Sequence, residues 1–243
     1  MEQVFGPEQN GAANGSQLTS SRPLGWAAAL LDEAVRLDRE GRIAEAGERY
    51  HAVIAAADAP GAELAEALRR MGVMHHRRNE PGLARDLCGR SFEVAASLPD
   101  NRLAAEALNA LASFEMKTGA LERASQIYEQ ALGLAGVSDE VRGRIEQNLG
   151  ILANIQGDHD AALNHYQRAL EACLNVEDCK SFTIWGFNDK YSWVPVFFSG
   201  QGEATVMWED YTRKPSYDAL QSTLLKANPG GQQRAGHHPA YQQ

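Results

Sequence analysis

The residues in this chain best suited to chemistry are basic and amide side chains that recur at helical spacing. Counted from Gly72, Ala112 and Gly150, positions −6, −3, +1, +4 and +5 share one face of a helix. In the first of these helices they are Glu66, Arg69, Val73, His76 and Arg77. In the next they are Glu106, Asn109, Ser113, Met116 and Lys117, and in the last Arg144, Gln147, Ile151, Asn154 and Ile155. Guanidinium and ammonium groups hold carboxylates, and amide side chains hold the backbone of an extended peptide. Arg69, His76, Arg77, Asn109, Met116, Lys117, Arg144 and Gln147 are therefore the candidates for a groove that takes a protein or peptide ligand of acidic or C-terminal character. The alternative is a solvated helix face with no ligand.

Other chemistries are less well supported by residue type. The run RRMGVMHHRR (69–78) is the one basic cluster in a chain of net charge −9, and no stacking aromatics are interleaved with it. Nucleic acid is excluded as a partner on that ground. His75 and His76 have no third ligand at helical spacing, and His237 and His238 stand in a tail without further ligands, so neither metal nor cofactor is expected. Cys88 falls in a helical position and reads as a small buried residue. Cys173 and Cys179 are close enough in sequence to close a local disulfide. The N-terminus, MEQVFGPEQNGAANG, lacks the basic start and apolar run of an export signal, which argues for reduced cysteines and a cytoplasmic location. No stretch approaches the ~18 apolar residues of a membrane span.

The elements that must carry these side chains are repeats. Ala34, Gly72, Ala112 and Gly150 are followed twelve residues later by Ala46, Ala84, Ala124 and Ala162, and then by Tyr50, Cys88, Tyr128 and Tyr166. Seven residues after each small residue stand Gly41, Asn79, Gly119 and Gly157, residue types that tolerate the left-handed conformation ending a helix. The small residue and the alanine let two antiparallel helices approach, and the tyrosine fills the gap to the next pair. A single pair cannot bury its apolar face, so pairs stack. The pattern resembles the tetratricopeptide repeat family over residues 25–172, best in NLGILANIQGDHDAALNHYQRAL, although the spacings of 38, 40 and 38 exceed the usual ~34. The resemblance implies a mainly α fold, a solenoid of about four helix pairs with first helices lining a concave surface. Leu24-Gly25-Trp26 starts the first pair, and Trp26 is expected to cap the core.

The composition then changes: residues 173–227 hold 10 of the 18 Phe, Trp and Tyr residues. SFTIWGF (181–187) reads as a buried strand of the parallel type, 188–214 as a long loop, and PSYDALQSTLLKA as a helix opened by Pro215. The Cys-x5-Cys, Ile-Trp-Gly, Asp-Lys-Tyr-Ser-Trp, Gly-Gln-Gly and Arg-Lys-Pro-Ser-Tyr-Asp-Ala strings are similar to the C-terminal end of family-ten glycoside hydrolases, the endo-1,4-β-xylanases. That likeness implies the eighth strand and closing helix of a (β/α)8 barrel, with Trp185 and Trp193 stacking on sugar. The two glutamates of the retaining mechanism, about 5 Å apart, lie in that family within Trp-Asp-Val-Val-Asn-Glu and Thr-Glu-Leu-Asp motifs. Neither motif occurs in this sequence. Glu203 and Glu209 fall in the loop after the strand and are not the family's catalytic positions, so no catalytic residue is assigned.

The expected organisation is a leader (1–24), helical repeats (25–172), a xylanase-like fragment (173–227) and a tail (228–243). The expected function is an interaction scaffold binding peptides, with a non-catalytic appendage. The alternative is an endo-1,4-β-xylanase by family label, or a sugar-binding remnant of one. Xylan or a xylo-oligosaccharide would be a partner only if the C-terminal segment is ordered.

Overall fold

The protein is described by a computed structural model covering residues 23–56, 58–177 and 205–227. Among these residues nine helices follow one another. They are α1 (Trp26–Arg39), α2 (Ile43–Ile54), α3 (Gly61–Arg77), α4 (Pro81–Ala95), α5 (Arg102–Lys117), α6 (Leu121–Gly133), α7 (Asp139–Gln156), α8 (His159–Leu174) and α9 (Pro215–Ala227). Local chemistry marks several starts. Pro81 and Pro215 open their helices without loss of an intrahelical donor. Ser138 and Asp158 accept from the amides of Val141 and Ala161 at the N-termini of α7 and α8.

The four pairs α1–α2, α3–α4, α5–α6 and α7–α8 reverse through one repeated turn. Gly41, Asn79, Gly119 and Gly157 all lie in the left-handed region, with φ of 78°, 61°, 85° and 78°. The next residue then donates its amide five residues back: Arg42 to Leu37, Glu80 to His75, Ala120 to Glu115 and Asp158 to Ala153, at 2.9–3.0 Å. This is the Schellman closure, which satisfies a carbonyl the helix end leaves free. Asparagine at one of the four positions shows that the turn demands a conformation and not the glycine residue itself.

The helices of a pair meet where the register places small residues. Ala34, Ala46, Ala84, Ala112 and Ala124 are fully buried, as are Tyr50, Cys88 and Tyr128. A methyl group on Gly72 would lie 2.6 Å from Cys88 Sγ and 3.1 Å from the Ala84 carbonyl oxygen, and one on Gly150 would lie 2.6 Å from the Tyr166 ring. The tyrosine hydroxyls differ. Tyr128 shares a hydrogen bond with Ser113 Oγ (2.9 Å), and Tyr166 accepts one from Asn154 Nδ2 (3.0 Å). The buried Tyr50 hydroxyl has no hydrogen-bond partner among the described residues.

Each helix packs on the next in sequence from α1 to α8. The first helices also touch one another, α1 with α3, α3 with α5 and α5 with α7, whereas α2, α4, α6 and α8 make no such contacts among themselves. The stack therefore curves with the first helices on its inner side, the solenoid geometry the repeats imply. Trp26 is partly buried against the core cluster formed by α1, α2 and α3.

The described part of the C-terminal segment is α9 and the turn before it. Residues 205–214 fold back through an isolated antiparallel bridge between Met207 and Arg213, with Lys214 donating its amide to the Val206 carbonyl (3.1 Å). The last ten residues of the expected loop thus form a reversal. The helix from Pro215 forms over the expected residues and packs on α8. There is no strand among the described residues, and the strand expected at 181–187 lies outside them.

Gly72→Ala is expected to lower the thermal midpoint. The helix-propensity gain of about 1 kcal/mol is outweighed by overpacking of about 1–3 kcal/mol, because one of the clashing atoms is backbone. A midpoint equal to or above that of the native chain, read by circular dichroism, would show that α3 and α4 have room to separate.

Candidate peptide groove

Three helices supply the inner face, and the structure brings its charged residues together as a ladder. Arg69 donates through Nε and Nη2 to the Glu66 carboxylate (3.0 and 2.7 Å) and reaches Glu106 at 3.2 Å. Arg70 adds a second donor to Glu66 at 2.6 Å. Glu106 also receives Arg102 from its own helix (3.2 Å) and Arg144 from α7 (3.1 Å). Arg69 and Arg144, proposed from sequence as ligand-binding cations, therefore share one carboxylate, and the Glu106 side chain is only 11% exposed.

The other candidates divide. Asn109 accepts from Asn148 Nδ2 across the α5–α7 contact (2.9 Å), while Gln147 is exposed. Arg77 bonds Asp38 of α1 at 3.2 Å but keeps 61% of its side chain exposed. Lys117 is exposed and makes no ion pair among the described residues. His76 stacks on Phe114, with ring centroids 4.2 Å apart and planes at 20°. Met116 is half-buried against the core between α5, α6 and α7, and Ser113 serves the Tyr128 hydroxyl. His75 at the end of α3 is paired with Glu80.

Sequence reasoning placed Glu66 and Glu106 on this face without seeing that they neutralise it. The signal was present. Glu66 precedes Arg69 and Arg70 by three and four residues, the spacing of helical ion pairs. Glu66, Glu106 and Arg144 hold the same register position in successive repeats. Asn148 and Phe114 were not singled out at all.

The electrostatics follow from these partners. Burial pushes the Glu66 carboxyl up, but Arg69 and Arg70 more than offset it and hold it below the usual carboxylate range. Burial pulls the His76 imidazole down, and the nearby Lys117 ammonium acts in the same sense, which keeps His76 neutral at neutral pH. On this face Lys117 is the cation without an ion pair among the described residues, while Arg77 is paired with Asp38 yet largely exposed. Between α7 and α8, burial raises the Glu146 carboxyl, but hydrogen bonds from His165 (2.7 Å) and Arg168 (3.0 Å) bring it below the ordinary range. Arg85 spans two repeats to hold the buried Glu115 (2.7 Å).

The remaining sequence-derived positions are quickly placed. Cys88 is a free, buried thiol, pushed up to about 12 by burial. Cys173 is disulfide-bonded, which corrects the expectation of a reduced thiol; its partner lies outside the described residues. Trp185 and Trp193, the sugar-stacking residues implied by resemblance, also lie outside them. Among the described residues no three of His, Cys, Asp and Glu are grouped to hold a metal, and no helix is long and apolar enough to cross a membrane.

Glu106→Gln is expected to destabilise the chain by about 1–3 kcal/mol, because it leaves Arg69 and Arg144 without their shared partner. An unchanged denaturation midpoint would show that the ladder contributes nothing across repeats. Acid acts in the same direction. Glu66 and Glu146 have folded-state pKa values below their unfolded ones, so their contribution is complete above the ordinary carboxylate range and is lost as pH falls through the folded values. A stability profile flat through this window would contradict that assignment.

Two family models match the chain. The tetratricopeptide repeat model matches residues 103–175, and the glycosyl hydrolase family 10 model matches residues 141–223. An endo-1,4-beta-xylanase A of Phanerodontia chrysosporium is 32% identical over 106 residues, which cover 44% of this chain and 24% of that relative. An endo-1,4-beta-xylanase B of Thermotoga neapolitana is 44% identical over 59 residues, covering 24% of this chain and 17% of that one. The chain thus spans a quarter or less of the length of these curated relatives. Among solved structures, BtubC (BKLC) from P. vanneervenii matches with a TM-score of 0.49 and 16% identity, covering 89% of this chain and 92% of its own. One stretch of the chain is similar to tetratricopeptide repeats and another to glycosyl hydrolase family 10, and the two matches share residues 141–175.

Proposed function

We propose that residues 25–172 act as a protein–protein interaction scaffold, with the inner face of α3, α5 and α7 holding an extended acidic peptide. The observation that carries this reading is the one-sided contact between first helices, which makes their shared face hollow and their exposed polar groups convergent. Tetratricopeptide repeats generally mediate protein–protein interactions, and that match falls on α5 to α8. Because Arg69 and Arg144 are already engaged by Glu106, the peptide's carboxylate sits toward Lys117 and Arg77. The Asn109–Asn148 amide pair and Gln147 face its backbone.

The test uses a fluorescein-labelled pool of decapeptides with Asp and Glu at a free C-terminus, read by anisotropy. Lys117→Glu combined with Arg77→Gln alters two exposed side chains, and is expected to weaken binding at least about tenfold, or 1.4 kcal/mol. Equal affinity of the native and altered chains, or no binding by the native chain, would reject the groove.

A second reading is favoured by the family 10 similarity: action on xylan, or binding of xylo-oligosaccharides through Trp185 and Trp193. Release of reducing sugar from xylan would establish the first. Quenching of tryptophan fluorescence by xylohexaose, absent in Trp185→Ala, would establish the second.

A further inference from the structure

A stack of helix pairs leaves an apolar helix edge open at its last repeat unless something covers it. Leu170 of α8 holds the register position of Ile54, Phe92 and Leu132, each of which packs against a core cluster that includes residues of the following first helix. No described repeat follows α8, yet Leu170 is 2% exposed. Among the described helices α9 packs on α8 and touches no other. Its inward residues Leu220 and Thr223 are 6% and 5% exposed, and the Thr223 hydroxyl is satisfied by the Ala219 carbonyl (3.0 Å).

The docking differs from that of another repeat. Lys214, immediately before α9, places its ammonium 4.4 Å from the centre of the Trp208 ring, and Trp208 meets the first residue of α8, His159, edge-on at 6.5 Å. The start of α9 is thereby tied to the start of α8. A first helix of a further repeat would enter at the opposite end of α8 and would touch α7, as α5 touches α3 and α7 touches α5. Since α9 makes no contact with α7, it covers α8 without prolonging the hollow face.

We infer that α9, the helix similar to the terminal helix of a glycosyl hydrolase, is the intramolecular cap of the helical stack, and that it blocks head-to-tail association with a second copy of the chain. The edge it covers is the one that accepts a first helix in every earlier repeat. The chain carries one first helix, α1, with no described second helix before it. An uncovered α8 would therefore meet α1 of another copy, a heterologous contact that propagates because it does not close on itself. This inference is independent of the groove and stands or falls without it.

The experiment places Leu220→Asp in the full chain, with Leu224→Asp, on the exposed side of α9, as its control. Hydrogen exchange reports protection of α8 and α9, and sedimentation velocity over a hundredfold range of concentration reports mass. Leu220→Asp is expected to abolish protection of 215–227, to speed exchange in 159–174 and to give a mass that rises with concentration. Leu224→Asp is expected to behave as the native chain. Loss of α9 protection with α8 exchange and mass unchanged would overturn the inference, and so would full protection of α9 in Leu220→Asp. If that variant does not fold, Leu220→Ala is judged on the same two readouts, where the expected result is the same changes at smaller size.

Discussion

The distance between the helices of each pair is the constraint on which the rest depends. At Gly72 a methyl group would lie well inside van der Waals contact distance of Cys88 Sγ, and at Gly150 inside that of the Tyr166 ring. Helices that close must be joined by a short reversal, and the four left-handed turns with their five-residue-back amide bonds supply it. The close approach leaves the second helix's large residue no room on the first helix, so Tyr50 and Tyr128 fill the space beside it and are fully buried. Tilted pairs of this kind bring the first helices into mutual contact and leave the second helices apart. Curvature, and with it a hollow face, follows from small residues at two positions per repeat.

Charge on that face answers a different demand. Partly buried ion pairs add little net stability compared with apolar packing, but an unpaired partner is heavily penalised. Glu106 is reached by Arg69 from one neighbouring repeat and by Arg144 from the other, so a slip of one helix past the next would leave a charge without its partner. The Asn109–Asn148 pair repeats the logic with neutral groups. An acidic chain can in this way present arginines inward without presenting free positive charge. Lys117, unpaired among the described residues, and Arg77, paired with Asp38 but largely exposed, lie at the C-terminal ends of α5 and α3.

The features legible from sequence are those set by neighbours within one helix pair. The turn residues, the small residues, the buried tyrosines and the proline-led α9 could be assigned because each needs only a local conformation or a fixed offset. Partners one repeat apart could not. Arg69 and Glu106 are 37 residues distant, and their meeting requires the register between repeats to be known to within a residue. The same ignorance made Arg69 and Arg144 look like unoccupied ligand donors and made Met116 a groove residue when it packs toward the core. The docking of α9 on α8 was open for a related reason: sequence shows that a helix has an apolar edge, but not what lies against it.

Residues 141–175 match two families whose folds share no strand order and no chemistry. Both folds ask the same of a helix there. In a stack of pairs, α8 must offer small residues to α7, and Ala172 lies against Gly143. It must also offer an aliphatic residue, Leu170, on another edge. A helix in the outer ring of a (β/α)8 barrel is likewise packed on more than one side. Glycoside hydrolysis depends instead on carboxylates held at strand ends, and neither glutamate motif of that family occurs in this sequence. Function must be argued from a site rather than from a fold. Among the described residues, α3, α5 and α7 share the inner face that bears the exposed Arg77, Lys117 and Gln147, and the part of the family 10 match described after α8 includes a helix packed on it.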